Sequence, residues 1–202
     1  MSNILLITSS PRGDLSHSKE TAQKLVEKLR ASSDEVTIIS RDLNENPVPH
    51  IDTSYVGAAY TPEADLTSEH YKRLELSDKL IEEFLWADTL VIATGMVNFG
   101  IPSTLKSWLD HVIRPGKTFS YNENGVAPLV TGKKGYIVAS SGGFYSSGPM
   151  AANNFHDTHL KAALGFVGIQ DIDTIFLEGV AYGPEALETA LNKATEQIEA
   201  VA

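Results

Sequence analysis

The residues best suited to chemistry fall in three short stretches. The first, Ser9-Ser10-Pro11-Arg12-Gly13-Asp14-Leu15-Ser16-His17-Ser18, places four serines ahead of a helical pattern. Hydroxyls and the free N–H groups of a helix start make an anion site without any lysine, and the helix dipole favours negative charge there. A phosphate monoester fits that description, and so does a plain serine-rich loop with an N-cap. The second stretch is Gly95-Met96-Val97-Asn98-Phe99-Gly100-Ile101-Pro102. A flat aromatic ligand needs backbone donors along its edge and an apolar or amide surface beside it. Asn98 and Phe99 can supply both, although an ordinary strand-to-helix loop with Pro102 preparing the next helix reads the same way. The third, Ser140-Ser141-Gly142-Gly143-Phe144-Tyr145, pairs glycines where a ligand would approach the backbone without a Cβ to hold it off; a plain turn is the alternative.

Other chemistries are excluded or weak. With no cysteine, the chain has no disulfide, thiolate metal site, Cys nucleophile or iron–sulfur cluster, so any redox chemistry must come from a bound cofactor. Neither the ATP-binding G-x-x-x-x-G-K-[ST] loop nor the dinucleotide loop G-x-G-x-x-G occurs, and no G-x-S-x-G elbow marks a hydrolase. In His156-Asp157-Thr158-His159 two imidazoles stand three apart, but no third ligand accompanies them; a polar helical face near the rim of a site is the expectation, with no metal. Asp110 and His111 are adjacent on a helix and diverge. A net charge of −10, with no Lys/Arg-rich run, leaves nucleic-acid affinity without its counterion-release source. The apolar run from Ile4 to Ile7 is too short for a signal-peptide core, and no later stretch is long enough to span a bilayer, so a cytoplasmic protein is expected.

The elements that must position these loops follow from hydrophobic period. Ile4 to Thr8 is a continuous apolar run, as in a strand buried on both faces. Ala22, Leu25, Val26 and Leu29 then mark a helix over about 18–29, and Glu35 to Ser40 a second strand. From Arg41 to about Leu66 no period emerges, which predicts a long surface excursion. A helix on Leu74, Leu80, Ile81, Phe84 and Leu85 precedes a strand over Thr89 to Ala93, and a helix on Leu105, Trp108, Leu109 and Val112 precedes one over Gly135 to Ala139. Phe155 to Phe166 reads as helix, Thr174 to Leu177 as the fifth strand, and a last helix opens at Gly183-Pro184. Alternation at this spacing predicts one domain over 1–202: an α/β, flavodoxin-like, doubly wound five-stranded parallel sheet in the order 2-1-3-4-5 with helices on both faces. Ligands in such sheets bind beyond the carboxyl ends of the strands where the order reverses, and all three loops lie on that rim.

On the residues MVNFGIPSTLKSWLDHVIRPGKTFSY, the SSGGFY loop and GVAYGP, the chain resembles the FMN-dependent NADH-azoreductase family over nearly its whole length. The resemblance implies a homodimer with one FMN per subunit at its interface, NADH as electron donor, and reduction of quinones and aromatic azo compounds by ping-pong hydride transfer through flavin N5. No side chain then acts as a covalent nucleophile, and NADPH stays open beside NADH because no Arg cluster or ribose-binding acid can be placed. Carried over to this sequence, Ser10, Ser16, His17 and Ser18 bind the phosphate, while Met96, Val97, Asn98, Phe99, Ser140, Ser141, Gly142 and Gly143 line the isoalloxazine. Asn98, Phe99, Tyr121, Phe144 and Phe166 border the substrate pocket, partly from the neighbouring subunit; Tyr121 and Phe166 also suit core packing. The family often has Tyr at the position of Val97 and Arg at that of Ser141, departures that bear on substrate preference more than on flavin binding. A flavodoxin-type electron carrier and a flavin-free interaction domain are the alternatives on this fold.

Overall fold

A computed structural model describes residues 2–32 and 35–201. Strands β1 (Ser2–Thr8), β2 (Val36–Asp42), β3 (Thr89–Gly95), β6 (Lys134–Ser140) and β7 (Asp171–Leu177) pair in parallel in the order β2-β1-β3-β6-β7. With the two short strands between β3 and β6 set aside, this is the expected 2-1-3-4-5 arrangement. The central strands β1, β3 and β6 each bury a run of five residues. Continuous apolar sequence is what a strand covered on both faces requires.

The pleat divides those runs between two cores. Leu5, Ile7, Leu90, Ile92, Ile137 and Ala139 join one cluster with residues of α3 (Ser68–Trp86), α4 (Ser103–Val112) and α5 (Asp157–Val167). Trp108 is fully buried there, edge-on to Phe84 at 6.0 Å. Ile4, Leu6, Val91, Ala93, Tyr136 and Val138 point the other way, into a cluster with α1 (His17–Ala31) and α6 (Pro184–Glu199). At roughly 1.5–3 kcal/mol for each large apolar side chain fully buried, these two layers hold the strand ends, and thus the loops, in fixed register.

Two segments differ from the sequence expectation. The surface excursion contains α2 (Thr53–Ala59), which buries Tyr55 and Ala58 against Leu74, while Leu43 and Val48 of the same stretch enter the main core. Asp52 caps α2, its Oδ1 accepting from the Tyr55 N–H at 2.8 Å. Seven residues are too few for a helical period to show, so burial here comes from the tertiary partner. The second difference is an antiparallel hairpin of β4 (Phe119–Asn122) and β5 (Gly125–Pro128), turning through Glu123-Asn124 into Gly125 at φ 104°. Asn124-Gly125 was a usable hairpin signal in the sequence. Among the described residues, no helix is long and apolar enough to cross a membrane.

Candidate active site

The loops after β1, β3 and β6 meet at one end of the sheet. After β1, Ser9 is tied down by its N–H and its hydroxyl, both donating to the Ala93 carbonyl at 3.0 and 3.3 Å. Ser16 caps α1: its Oγ accepts from the Lys19 N–H at 3.2 Å and lies 3.1 Å from the Ser18 Oγ. Ser10, Ser16 and Ser18 are all buried, Ser18 completely. The first N–H groups of a helix lack intrahelical acceptors. Here Ser16 takes those of Lys19 and Glu20, which leaves His17 and Ser18 with donors to offer. Lys19 itself is engaged by Asp42 at 3.0 Å, a hydrogen bond that raises its pKa and keeps it charged. Of the basic side chains, Arg12 and His17 line the loop's cavity.

The loop after β3 holds a strained turn. Val97 and Gly100 exchange backbone hydrogen bonds, each 3.0 Å, across Asn98 at φ 47° and Phe99 at φ 72°. Positive φ at both central residues is the two-residue hairpin geometry that normally selects Asn and Gly; a phenylalanine there costs about 1–2 kcal/mol. The surroundings over-determine it. The Phe155 N–H donates to the Phe99 carbonyl at 3.0 Å, and the Phe99 ring meets Tyr145 edge-on at 6.0 Å. Such strain is retained where it presents a group, and here it presents Asn98 and Phe99 outward.

The loop after β6 is bound on both sides. The Met96 N–H donates to the Ser140 carbonyl at 2.8 Å, joining it to the β3 loop, and the Ser141 Oγ donates to the Gly143 carbonyl at 2.8 Å. On its other flank, the Gly179, Val180 and Ala181 N–H groups donate to Gly143, Ser141 and Gly142 carbonyls at 3.1–3.3 Å. The segment after β7 is therefore a fourth wall.

Two open cavities lie along these loops. One, about 320 Å³, is lined by Ser10, Arg12, His17, Met96, Val97 and Ser141 among others; the next, about 480 Å³, by Asn98, Phe99, Gly143, Tyr145 and Tyr182. Met96, Gly142 and Ala181 line both, so they form one trough from the α1 N-terminus to the strained turn. Its floor is small: a Cβ at Gly95 would sit 3.4 Å from the Ser140 Oγ, and one at Gly142 3.3 Å from the Ala181 Cβ. Buried hydroxyls and helix donors at one end, glycine backbone and aromatic edges at the other, suit a phosphate monoester carrying a flat ring.

Most of the residues expected at the site converge there. Ser10, His17, Met96, Val97, Asn98, Phe99, Ser140, Ser141, Gly142 and Gly143 line the trough, whereas Ser16 and Ser18 are buried at the start of α1 and do not line it. Three expected pocket residues lie elsewhere within the single chain. Tyr121 stands on the hairpin and borders a separate cavity of about 360 Å³ with Tyr60 and Tyr71. Phe166 packs against Phe119 at 4.8 Å, and Phe144 lines the neighbouring groove between β7 and α6 while leaning on Tyr182 at 5.6 Å. That groove is larger, about 840 Å³, but it runs along α6 and is lined by no residue of the loops after β1 and β3.

Sequence reasoning passed over Arg12, Tyr145 and Val180 to Tyr182 as site residues. Positive-φ glycines Gly179 and Gly183 bracket the last of these and were the available signal. The His156-Asp157 pair is not a polar surface face: both are buried. His156 Nε2 lies 3.2 Å from Thr94 Oγ1 at the end of β3, and burial pushes its pKa down to about 4. Asp157 is engaged by Asn154 at 2.6 Å and Lys161 at 2.8 Å. Among the described residues no cluster of His, Asp or Glu could hold a metal ion.

Known proteins share this architecture and much of the sequence. A family model described as flavodoxin-like fold matches residues 2–202. FMN-dependent NADH:quinone oxidoreductases from Rhizobium johnstonii and Agrobacterium fabrum are 48% and 49% identical over 202 residues, each match covering 100% of this chain and 98% of the relative. Among solved structures, an FMN-dependent NADH-azoreductase from Bacillus anthracis str. Ames Ancestor in complex with FMN superposes with TM-score 0.85 at 28% identity, covering 98% of both chains. An azoreductase from Bacillus anthracis str. Sterne superposes with TM-score 0.89 at 25% identity, covering 98% of this chain and 97% of the other.

Proposed function

Because the chain belongs to the flavodoxin-like family of FMN-dependent NADH:quinone oxidoreductases, we propose that it binds FMN in the trough and reduces quinones, and aromatic azo compounds, at the expense of NADH. The observation that carries the reading is the continuity of the trough: the Ser10–His17 end and the Asn98–Phe99 turn open into one space across Met96, Gly142 and Ala181. FMN, when bound, supplies the hydride relay, through its N5 and in ping-pong order, that no side chain of this protein provides.

The residues divide the remaining work. Ser10, Ser16 and Ser18 with the α1 N-terminus take the phosphate, Arg12 adds positive charge at its mouth, and His17 adds a hydrogen-bonding ring there. Met96 to Phe99 and Ser140 to Gly143 hold the ring. The backbone N–H groups of Asn98, Phe99, Gly142 and Gly143 favour negative charge on it in the reduced state, and Ser141 and the glycines leave the backbone approachable. Asn98 and Phe99 orient whatever stacks on the exposed ring face, which raises effective concentration in place of chemical participation. Val97 leaves one side of the ring without the aromatic that relatives often place there.

The protein is read as one flavin-binding domain over 1–202, with sheet and helices doubly wound, working as a homodimer in the cytoplasm. Tyr121, Phe166 and Phe144 then complete a pocket that the single chain leaves open, the first two from across the interface. Phe99, Tyr121, Phe144, Phe155 and Phe166 are exposed on the single chain and are the aromatic side chains such an assembly would cover. The test is to add FMN and NADH to the purified protein without oxygen, then a quinone. Flavin reduced by NADH and reoxidised by the quinone supports the reading; flavin left oxidised overturns it.

A further inference from the structure

Quinone reduction needs a proton as well as a hydride: quinone + NADH + H⁺ gives hydroquinone + NAD⁺. The hydride brings both electrons and one hydrogen, so one substrate oxygen must gain its hydrogen as H⁺. Of the side chains lining the ring end of the trough, only Asn98, Tyr145 and Tyr182 carry an N–H or O–H, and a neutral amide is not an acid at any ordinary pH. Tyr182 is 70% exposed and follows the tip of the loop after β7. Tyr145 is held at three points. Its N–H donates to Glu178 Oε1 at 2.5 Å, its ring meets Phe99 edge-on, and the ring lies against Gly143, where a Cβ would stand 3.2 Å from a ring carbon and 3.5 Å from the hydroxyl. Gly143 is thus what admits the phenol to the trough wall. Among the described residues the Tyr145 hydroxyl has no hydrogen-bond partner within the chain, although the backbone and ring that carry it are fixed.

We propose that Tyr145 is the proton donor of the acceptor half of the reaction, an inference that rests on the quinone-reductase reading and assigns it a residue. In the step, the Tyr145 O–H bond breaks and a new O–H bond forms on the carbonyl oxygen of the quinone. The electron pair arrives with the hydride, and water returns a proton to the phenolate. A side chain positioned to give a proton in the transition state contributes about 10²–10⁴-fold to such a step. For an azo substrate the same donor protonates the nitrogen that does not receive the hydride.

The test compares wild type with Tyr145→Phe, which keeps the ring and its packing on Phe99 and Gly143. Each FMN-loaded protein is reduced by NADH and reoxidised in a rapid-mixing experiment, once with 1,4-naphthoquinone and once with ferricyanide, which takes electrons and no proton. The expected result is naphthoquinone reoxidation slowed about 100-fold or more, a changed solvent-deuterium isotope effect, and ferricyanide reoxidation at the wild-type rate. A second readout needs no turnover: the infrared carbonyl band of bound chromone, an aromatic ketone used as the probe, should lie lower on wild type than on Tyr145→Phe. Equal naphthoquinone rates, or equal chromone bands, would overturn the assignment. A wild-type protein that NADH does not reduce would instead count against the quinone-reductase reading, and the chromone band would still decide Tyr145.

Discussion

Acidification from pH 7.5 to 4.5 should weaken the fold through one buried imidazole, and the size of the effect follows from its surroundings. His156 is 2% exposed, its Nε2 faces Thr94 Oγ1, and burial holds its pKa at about 4 against an ordinary 6.5. Neighbouring Asp157 opposes that shift without reversing it, being already engaged by Asn154 and Lys161. A depressed histidine pKa means that the fold prefers the neutral ring. As pH falls below about 6.5 the unfolded chain binds the proton first, so stability declines from there to about pH 4 and then levels. The full difference corresponds to about 3 kcal/mol, most of which is expressed by pH 4.5. The assay is urea unfolding of the apoprotein and of His156→Gln at matched concentration across that range. Groups that titrate in both proteins cancel in the difference. Whatever the offset at pH 7.5, the stability of wild type relative to the variant should drop by about 2–3 kcal/mol at pH 4.5. Parallel curves would refute the reasoning. The site should register the same event, because the preceding residue, Phe155, donates its N–H to the strained Phe99 carbonyl.

Other expectations are more local. Ser18→Ala should weaken FMN binding by about 1 kcal/mol, roughly fivefold, in a flavin-fluorescence titration. Ser16→Ala should do the same and also lower helix stability by about 1 kcal/mol, because Ser16 caps α1. Unchanged affinity in both would move the phosphate elsewhere. Gly168 ends α5 at φ 118° with the Val130 carbonyl 2.1 Å from where a Cβ would stand, so Gly168→Ala should destabilise by about 3 kcal/mol through overpacking and backbone strain; a wild-type melting temperature would contradict that packing.

The parts of the fold that the sequence discloses are those whose burial is symmetric. β1, β3 and β6 show as unbroken apolar runs, and α1, α4 and α6 as regular stripes, because each meets a continuous layer. Three ligand-facing loops are visible for a related reason: parallel strands deliver their carboxyl ends to one rim, whatever the loops contain. The rest depends on contacts made at long range. Tyr55 is buried by Leu74 and by His111, 4.7 Å away between ring centres. His156 looks like surface in sequence and becomes core only because α5 docks its first turn on the end of β3. Val180 and Ala181 enter the site through hydrogen bonds to the β6 loop, with Tyr182 following them, and no local pattern specifies those bonds.

The central claim, that the trough carries flavin from NADH to a quinone, is tested most directly by the two half-reactions under anaerobic conditions, with NADH and NADPH compared as donors. Flavin absorbance should bleach with NADH and return in full on adding one equivalent of quinone. Flavin that stays oxidised, or a protein that binds no FMN at micromolar concentration, would contradict it.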